Sequence, residues 1–105
     1  MSTLSTHVLD AVRGTPATGV TVTLYDGAGQ LDSCSTDGDG RIGALGATLA
    51  PGTYRLVFDT GAYFAAQRVE TFYPEVGVCF AITEERHYHV PLLLSPFAFS
   101  TYRGS

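Results

Sequence analysis

Residues 19 to 26 read GVTVTLYD, with Val20, Val22 and Leu24 alternating against Thr21, Thr23 and Tyr25. That period of two is the mark of a strand with one buried face, and the threonines belong on the outer one. Downstream, Asp26-Gly27-Ala28-Gly29 supplies turn residues before a second short strand around Leu31 to Ser35, so the two segments read as a hairpin. The cluster Thr36-Asp37-Gly38-Asp39-Gly40 is a further turn that ends at Arg41, and Ala50-Pro51-Gly52 is another. After it, TYRLVFDT places Tyr54, Leu56 and Phe58 on one face and Arg55 and Val57 on the other. Only Thr60 to Arg68 has helical character, with Thr60 as the expected cap and Ala62, Ala65 and Ala66 as helix formers. Gly77 to Ile82 and His87 to Leu94 read as two more strands around the turn Thr83 to Arg86, and Ala98 to Arg103 as a last one. Pro91 within the second of these predicts an edge strand or a bulge. Seven or eight short strands with one brief helix predict an antiparallel β-sandwich.

The whole chain of 105 residues, 45% hydrophobic, fits one domain spanning residues 1–105 around one core. Its formal net charge is -4, and all six basic residues are Arg. No basic stripe exists to follow a phosphate backbone, so nucleic acid is excluded as a partner. Arg suits planar recognition of acyl and carboxylate groups, although a compositional bias against Lys explains the same count. Cys34 and Cys79 are far apart and form no CxxC pattern, so both are expected to be free, buried thiols in a reducing compartment. The segment MSTLSTHVLD has neither a charged nor an apolar leader region, and no apolar run is long enough to span a bilayer. A cytoplasmic protein without membrane association is expected.

Three histidines carry the chemical interest. His87 and His89 share one face of a strand, and His7 stands far away in sequence. Such a set is open to three readings: exposed histidines without a special role, three ligands of a zinc ion, or an acid-base site. Asp37-Gly38-Asp39-Gly40 superficially resembles a calcium loop, but the alignment puts Ser35 and Gly46 where carboxylates are required, so it is a turn. Its interest lies in Arg41, held at a strand entrance. The closing tetrapeptide Tyr102-Arg103-Gly104-Ser105 brings a phenol, a guanidinium and a hydroxyl near His87 and His89, one strand back. Ser5 and Ser105 lack any nucleophile-elbow context, so covalent catalysis is discounted.

Four separated segments, LSTHVLDAVRGTPA, DGDGR, FYPEV and HYHVPLLLSP followed by the terminal YRGS, occur in the order seen in the 5-hydroxyisourate hydrolases, the transthyretin-related enzymes of urate breakdown. The chain resembles that family along its whole length. The resemblance implies a transthyretin-like, all-β sandwich of two four-stranded sheets with one short helix, assembled as a homotetramer whose central channel holds the active sites. It implies no cofactor and no metal. Carried over motif by motif, His7, Arg41, His89 and Ser105 are the implied catalytic residues, and His7, Arg41, Tyr102, Arg103 and Gly104 the implied contacts to the small-molecule substrate. The implied reaction opens the six-membered ring of 5-hydroxyisourate at N1-C6, giving 2-oxo-4-hydroxy-4-carboxy-5-ureidoimidazoline. Two departures, RGTPA where a Lys-Pro-Ala is more usual and an additional Gly in DGDGR, touch no implied contact. A non-enzymatic carrier on the same fold is the alternative, because fold does not fix function. Transthyretin-like carriers resemble FYPEV and LLSP but lack the full histidine set and the YRGS ending.

Overall fold

A computed structural model describes residues 1–105. Along the chain run β1 (Thr3–Asp10), β2 (Thr15–Pro16), β3 (Thr21–Asp26), β4 (Gly29–Ser35), β5 (Arg41–Ile42) and β6 (Gly52–Phe58). Then follow α1 (Thr60–Ala65), β7 (Val76–Ile82), β8 (His87–Ser95) and β9 (Ala98–Thr101). One sheet has the order β4-β3-β6-β7; the other has the order β2-β1-β8-β9, with β5 also paired to β1. No helix is long and apolar enough to cross a membrane.

The sandwich stands as the periodicity predicts. Val20, Val22, Leu24, Tyr54, Leu56 and Phe58 all point into a core of 19 buried residues shared by the two sheets, where burying each large apolar side chain contributes roughly 1.5–3 kcal/mol. Two details differ from the expected antiparallel pair of four-stranded sheets. One sheet has five strands, and β1 pairs with β8 in parallel, from Thr3↔His87 to Asp10↔Leu94. The first strand was not visible as an alternation because two of its four inward positions are polar: Leu4, Thr6, Val8 and Asp10 are all buried. Both polar groups are satisfied. Thr6 donates its hydroxyl proton to the Val90 carbonyl at 2.7 Å, and Asp10 accepts from the Val12 and Arg13 amides and the Tyr63 hydroxyl.

Three local expectations are corrected. The helix cap is Asp59, whose carboxylate accepts from the Ala62 amide at 3.1 Å, while Thr60 is buried and donates to the Tyr73 carbonyl. The helix ends at Ala65, short of Arg68. There the backbone turns left-handed, with φ 58° at Arg68, and the Val69 amide reaches back to the Phe64 carbonyl. Cys34 and Cys79 are free but exposed, because each lies on an edge strand of the β4-β3-β6-β7 sheet, where one flank has no neighbour. Pro91 sits neither on an edge nor at a register shift: β8 is internal, and its partners on the last strand keep one register from Ser95↔Ala98 to His89↔Gly104. The ladder is merely interrupted at Pro91 and Val90. Proline has no N–H to offer there, and the Thr101 hydroxyl donates to its carbonyl at 2.8 Å instead.

The turn before β5 is fastened to β1. The Val8 amide donates to the Gly40 carbonyl at 2.7 Å, and Gly40 has φ +73°. A Cβ placed on Gly40 would stand 2.4 Å from the Val8 carbonyl oxygen, so the turn can approach the strand only because no side chain intervenes. Gly40→Ala is therefore expected to lower stability by about 2 kcal/mol or more, read as a lower urea midpoint; an unchanged midpoint would mean that the turn relaxes freely.

Candidate active site

The outward positions of β1 and β8 lie side by side. Thr3, Ser5 and His7 alternate with the buried residues of β1, while His87 and His89 do the same on β8. The parallel register sets Thr3 against His87 and Ser5 against His89. On the other flank of β1, His7 pairs with Arg41. Segments from both ends and the middle of the chain thus meet on one face.

A cavity of about 320 Å³ opens there, lined by Ser5, Thr6, Arg41, His87, His89 and Ser105 among others. A larger one, about 510 Å³, lies between Arg13, Pro16, Tyr63 and Gln67. It contains no histidine, and volume alone carries no chemistry, so the smaller cavity is the candidate site. His7 stands at its margin, and its Nε2 lies 2.9 Å from the Asp39 carbonyl. A carbonyl only accepts, so that nitrogen carries a proton, and Nδ1 is the position left without a protein partner.

His89 is held from two sides. Its Nδ1 meets the Ser5 hydroxyl at 2.7 Å, which leaves Nε2 as the nitrogen available to a substrate or water. From the far side Gly104 bonds back to the strand, its amide donating to the His89 carbonyl at 2.8 Å. A Cβ at Gly104 would stand 2.6 Å from His89 Cδ2, so the ring occupies the space that any side chain there would take. Half-burial of the imidazole, followed by the nearby positive charge of Arg41 and by His7 and His87, pushes the His89 pKa below its ordinary value. At neutral pH it is an uncharged base.

Arg41 is oriented by its own turn. The Asp37 carboxylate accepts from the Arg41 and Asp39 amides, each at 2.9 Å. The bond from the Arg41 amide is the main cause that holds the Asp37 carboxyl below the usual carboxylate range. The Arg41 side chain is exposed, and the one ion pair in the molecule joins the N-terminus to Glu85. Its guanidinium therefore forms no ion pair beside the cavity and is available to a developing negative charge.

The structure brings together His7, Arg41, His89, Gly104 and Ser105. Tyr102 and Arg103 fall elsewhere. They line an apolar cavity of about 300 Å³ with Val78, Phe80, Tyr88 and Val90, away from the histidines. His7, His87 and His89 do not converge as a three-ligand metal set. Reasoning from the sequence missed Ser5 and Thr3 as partners of the histidines. The Ser5 hydroxyl joins His87 Nε2, at 2.8 Å, to His89, and the Thr3 hydroxyl lies 2.7 Å from His87 Nδ1. The signal was present in the polar alternation Thr3-Ser5-His7, once that segment is seen as a strand.

An outward-facing cluster of two imidazoles and a guanidinium on a transthyretin-like sandwich points to one group of proteins, and the model of the HIUase/Transthyretin family matches residues 4–104. The chain belongs to the HIUase/transthyretin family. It is 50% identical to the 5-hydroxyisourate hydrolase of Salmonella typhimurium over 97% of this chain and 80% of that protein. The solved 5-hydroxyisourate hydrolase of Klebsiella pneumoniae superposes with a TM-score of 0.94 at 44% identity, over 100% of this chain and 94% of that one. Sea bream transthyretin, solved in complex with thyroxine, superposes at 0.90 with 36% identity, over 96% of this chain and 93% of that one. Family membership thus joins enzymes and a thyroxine-binding protein on one backbone, and the side chains of the cavity have to decide between them.

The role of Gly104 in this family member is open to a direct test. Gly104→Ala is expected to displace the His89 ring and cut hydrolytic turnover about tenfold or more, with a melting curve as the fold control. Normal turnover would show that the ring has room to move.

Proposed function

We propose that the chain hydrolyses 5-hydroxyisourate to 2-oxo-4-hydroxy-4-carboxy-5-ureidoimidazoline, a step of urate degradation, as one hydrolase domain spanning residues 1–105. The observation that carries this reading is the oriented imidazole of His89, its pKa pushed down, beside an Arg41 that forms no ion pair, in a chain half identical to a 5-hydroxyisourate hydrolase. His89 Nε2 takes a proton from water as its oxygen attacks the C6 carbonyl. His7, at the cavity margin, positions that water. Arg41 binds the carbonyl edge and stabilises the oxyanion, and collapse of the intermediate breaks the C6–N1 bond. Ser105 closes the cavity next to His89, and Gly104 sets the ring. Tyr102 and Arg103 face away from this chain's cavity, so any contact of theirs with substrate has to come across a subunit boundary. No metal or cofactor enters these steps.

The assembly we propose is a homotetramer, and the location the cytoplasm, where Cys34 and Cys79 would stay reduced. The rival reading is a small-molecule carrier, favoured by the likeness to the transthyretin solved with thyroxine. It leaves the ordered imidazoles and the free guanidinium without a task, so the hydrolase is preferred.

The ultraviolet decay of 5-hydroxyisourate, generated in place by urate oxidase acting on urate, separates the two. Intact protein is expected to speed the decay, while His89→Asn should slow turnover by about 10²-fold or more and a chain ending at Thr101 should be folded but inactive. A carrier would bind an aromatic ligand and leave the decay unchanged.

The pH dependence follows from the sign of the His89 shift. Because its charged form is disfavoured, the base stays neutral further into acid, and kcat/KM is expected to decline only below the ordinary imidazole value of about 6.5. Arg41→Gln removes one of the cations that oppose charging, so the residual activity of that variant should show its acid limb at higher pH. A limb that stays in place or moves the other way would exclude His89 as the titrating base.

A further inference from the structure

The His89 ring is the inner end of a continuous hydrogen-bonded chain. From the cavity outward it runs His89 Nδ1 to Ser5 Oγ at 2.7 Å, Ser5 Oγ to His87 Nε2 at 2.8 Å, and His87 Nδ1 to Thr3 Oγ1 at 2.7 Å. The parallel register of β1 and β8 makes the chain possible, because it sets Thr3 against His87 and Ser5 against His89. His89 is half-buried, and His87 is exposed.

A single hydroxyl proton gives this chain two polarities. In one, His89 donates from Nδ1 to Ser5, Ser5 donates to His87 Nε2, and His87 donates from Nδ1 to Thr3; His89 Nε2 then has a lone pair. In the other, His87 is protonated at both nitrogens and donates to Ser5. Ser5 must then donate to His89 Nδ1, and the proton of His89 resides on Nε2. The first is a base facing the cavity, the second an acid.

We propose that Ser5 and His87 form a proton relay for hydrolysis, in which the proton taken from water by His89 Nε2 is matched by one delivered to His87, and is returned when the leaving nitrogen needs it. This rests on the reading of His89 as the group that deprotonates water. In the forward step the attacking water loses a proton to His89 Nε2 as the C6–O bond forms, His89 Nδ1 passes its proton to Ser5, and Ser5 passes its own to His87 Nε2. In the return step the C6–N1 bond breaks, N1 takes the proton from His89 Nε2, and the two transfers reverse. Protons and charge balance over the cycle, and both side chains end as they began.

The physical reason for such a device is where the positive charge has to reside. His89 faces Arg41 from β5, His7 from β1 and His87 from its own strand, so an imidazolium there is opposed on every side as well as by half-burial. On His87 the same charge stands in solvent, two residues further along β8, with Thr3 accepting from Nδ1. The relay moves the charge from the half-buried ring to the exposed one on the same cavity's wall. Ser5 and His87 are positioning and relaying residues, since neither needs to touch the reacting atoms.

The test compares Ser5→Ala, Ser5→Thr, His87→Gln and His89→Asn in the full chain, with melting curves as the fold control. Ser5→Ala and His87→Gln are expected to lower kcat about tenfold or more with KM little changed, and Ser5→Thr to restore most of the loss because it keeps the hydroxyl. Long-range ¹H–¹⁵N spectra of the ring nitrogens provide a readout independent of turnover: the Nδ1 resonance of His89 should report a hydrogen bond in the parent and Ser5→Thr, and lose it in Ser5→Ala. Folded Ser5→Ala and His87→Gln variants that keep kcat within about twofold would overturn the relay, even if His89→Asn is inactive. An active His89→Asn would instead remove the base itself and the relay with it. If Ser5→Ala fails to fold, His87→Gln at its exposed site decides alone.

Discussion

The parallel ladder between β1 and β8 is the constraint on which the site depends. Its eight pairs, from Thr3↔His87 to Asp10↔Leu94, join the first strand of the chain to the next to last. Inward, the ladder buries Leu4, Val8, Val90, Leu92 and Leu94 in the common core. Outward, the same register lays Thr3 and Ser5 beside the two histidines of β8. Side chains of a strand alternate strictly, so a slip of one residue would send the histidines inward and the leucines to solvent. The cost of exposing that apolar surface is what keeps the catalytic groups in line, and no separate device is needed to aim them.

Two close approaches of backbone then complete the cavity, each requiring a residue without a Cβ. At Gly40 the turn comes within hydrogen-bonding distance of Val8 and delivers Arg41 beside His7. At Gly104 the end of the chain returns to His89 after the interruption at Pro91. The interruption has a use. Without a proline N–H opposite Tyr102 the ladder opens, and it closes again at His89 in unbroken register, which places Ser105 at the cavity's rim.

The electrostatics follow from these positions. No carboxylate forms an ion pair with Arg41; Asp37, the acid of the same turn, is held by the backbone amides of Arg41 and Asp39 and attracts the guanidinium only at longer range. Half-burial first, and then the guanidinium, His7 and His87, push the His89 pKa below its ordinary value. Arg41 thus acts on the His89 ring from across β1. The thyroxine complex of sea bream transthyretin shows that the same backbone serves binding as well, so the difference in activity rests on a few outward side chains and not on the sandwich.

Much of this was legible in the residues. The alternations in β3 and β6, the turns at Asp26 and Asp37, and the short helix follow from local periodicity and turn chemistry, and they are where the structure has them. His7, Arg41, His89 and Ser105 were named through motif resemblance; the last three line one cavity, and His7 pairs with Arg41 beside it. What local pattern could not show was β1, whose buried Thr6 and Asp10 find partners only across the sheet, or the exposed edges that leave both cysteines in solvent. Nor could it show that Ser5 bridges two histidines more than eighty positions away, or that Tyr102 and Arg103 turn from the cavity their neighbours enclose. The sequence by itself determined which faces are apolar and where the chain turns, because those are short-range properties of residues. Only the tertiary structure decided which polar side chains meet, because strand register is settled by burial of the core as a whole.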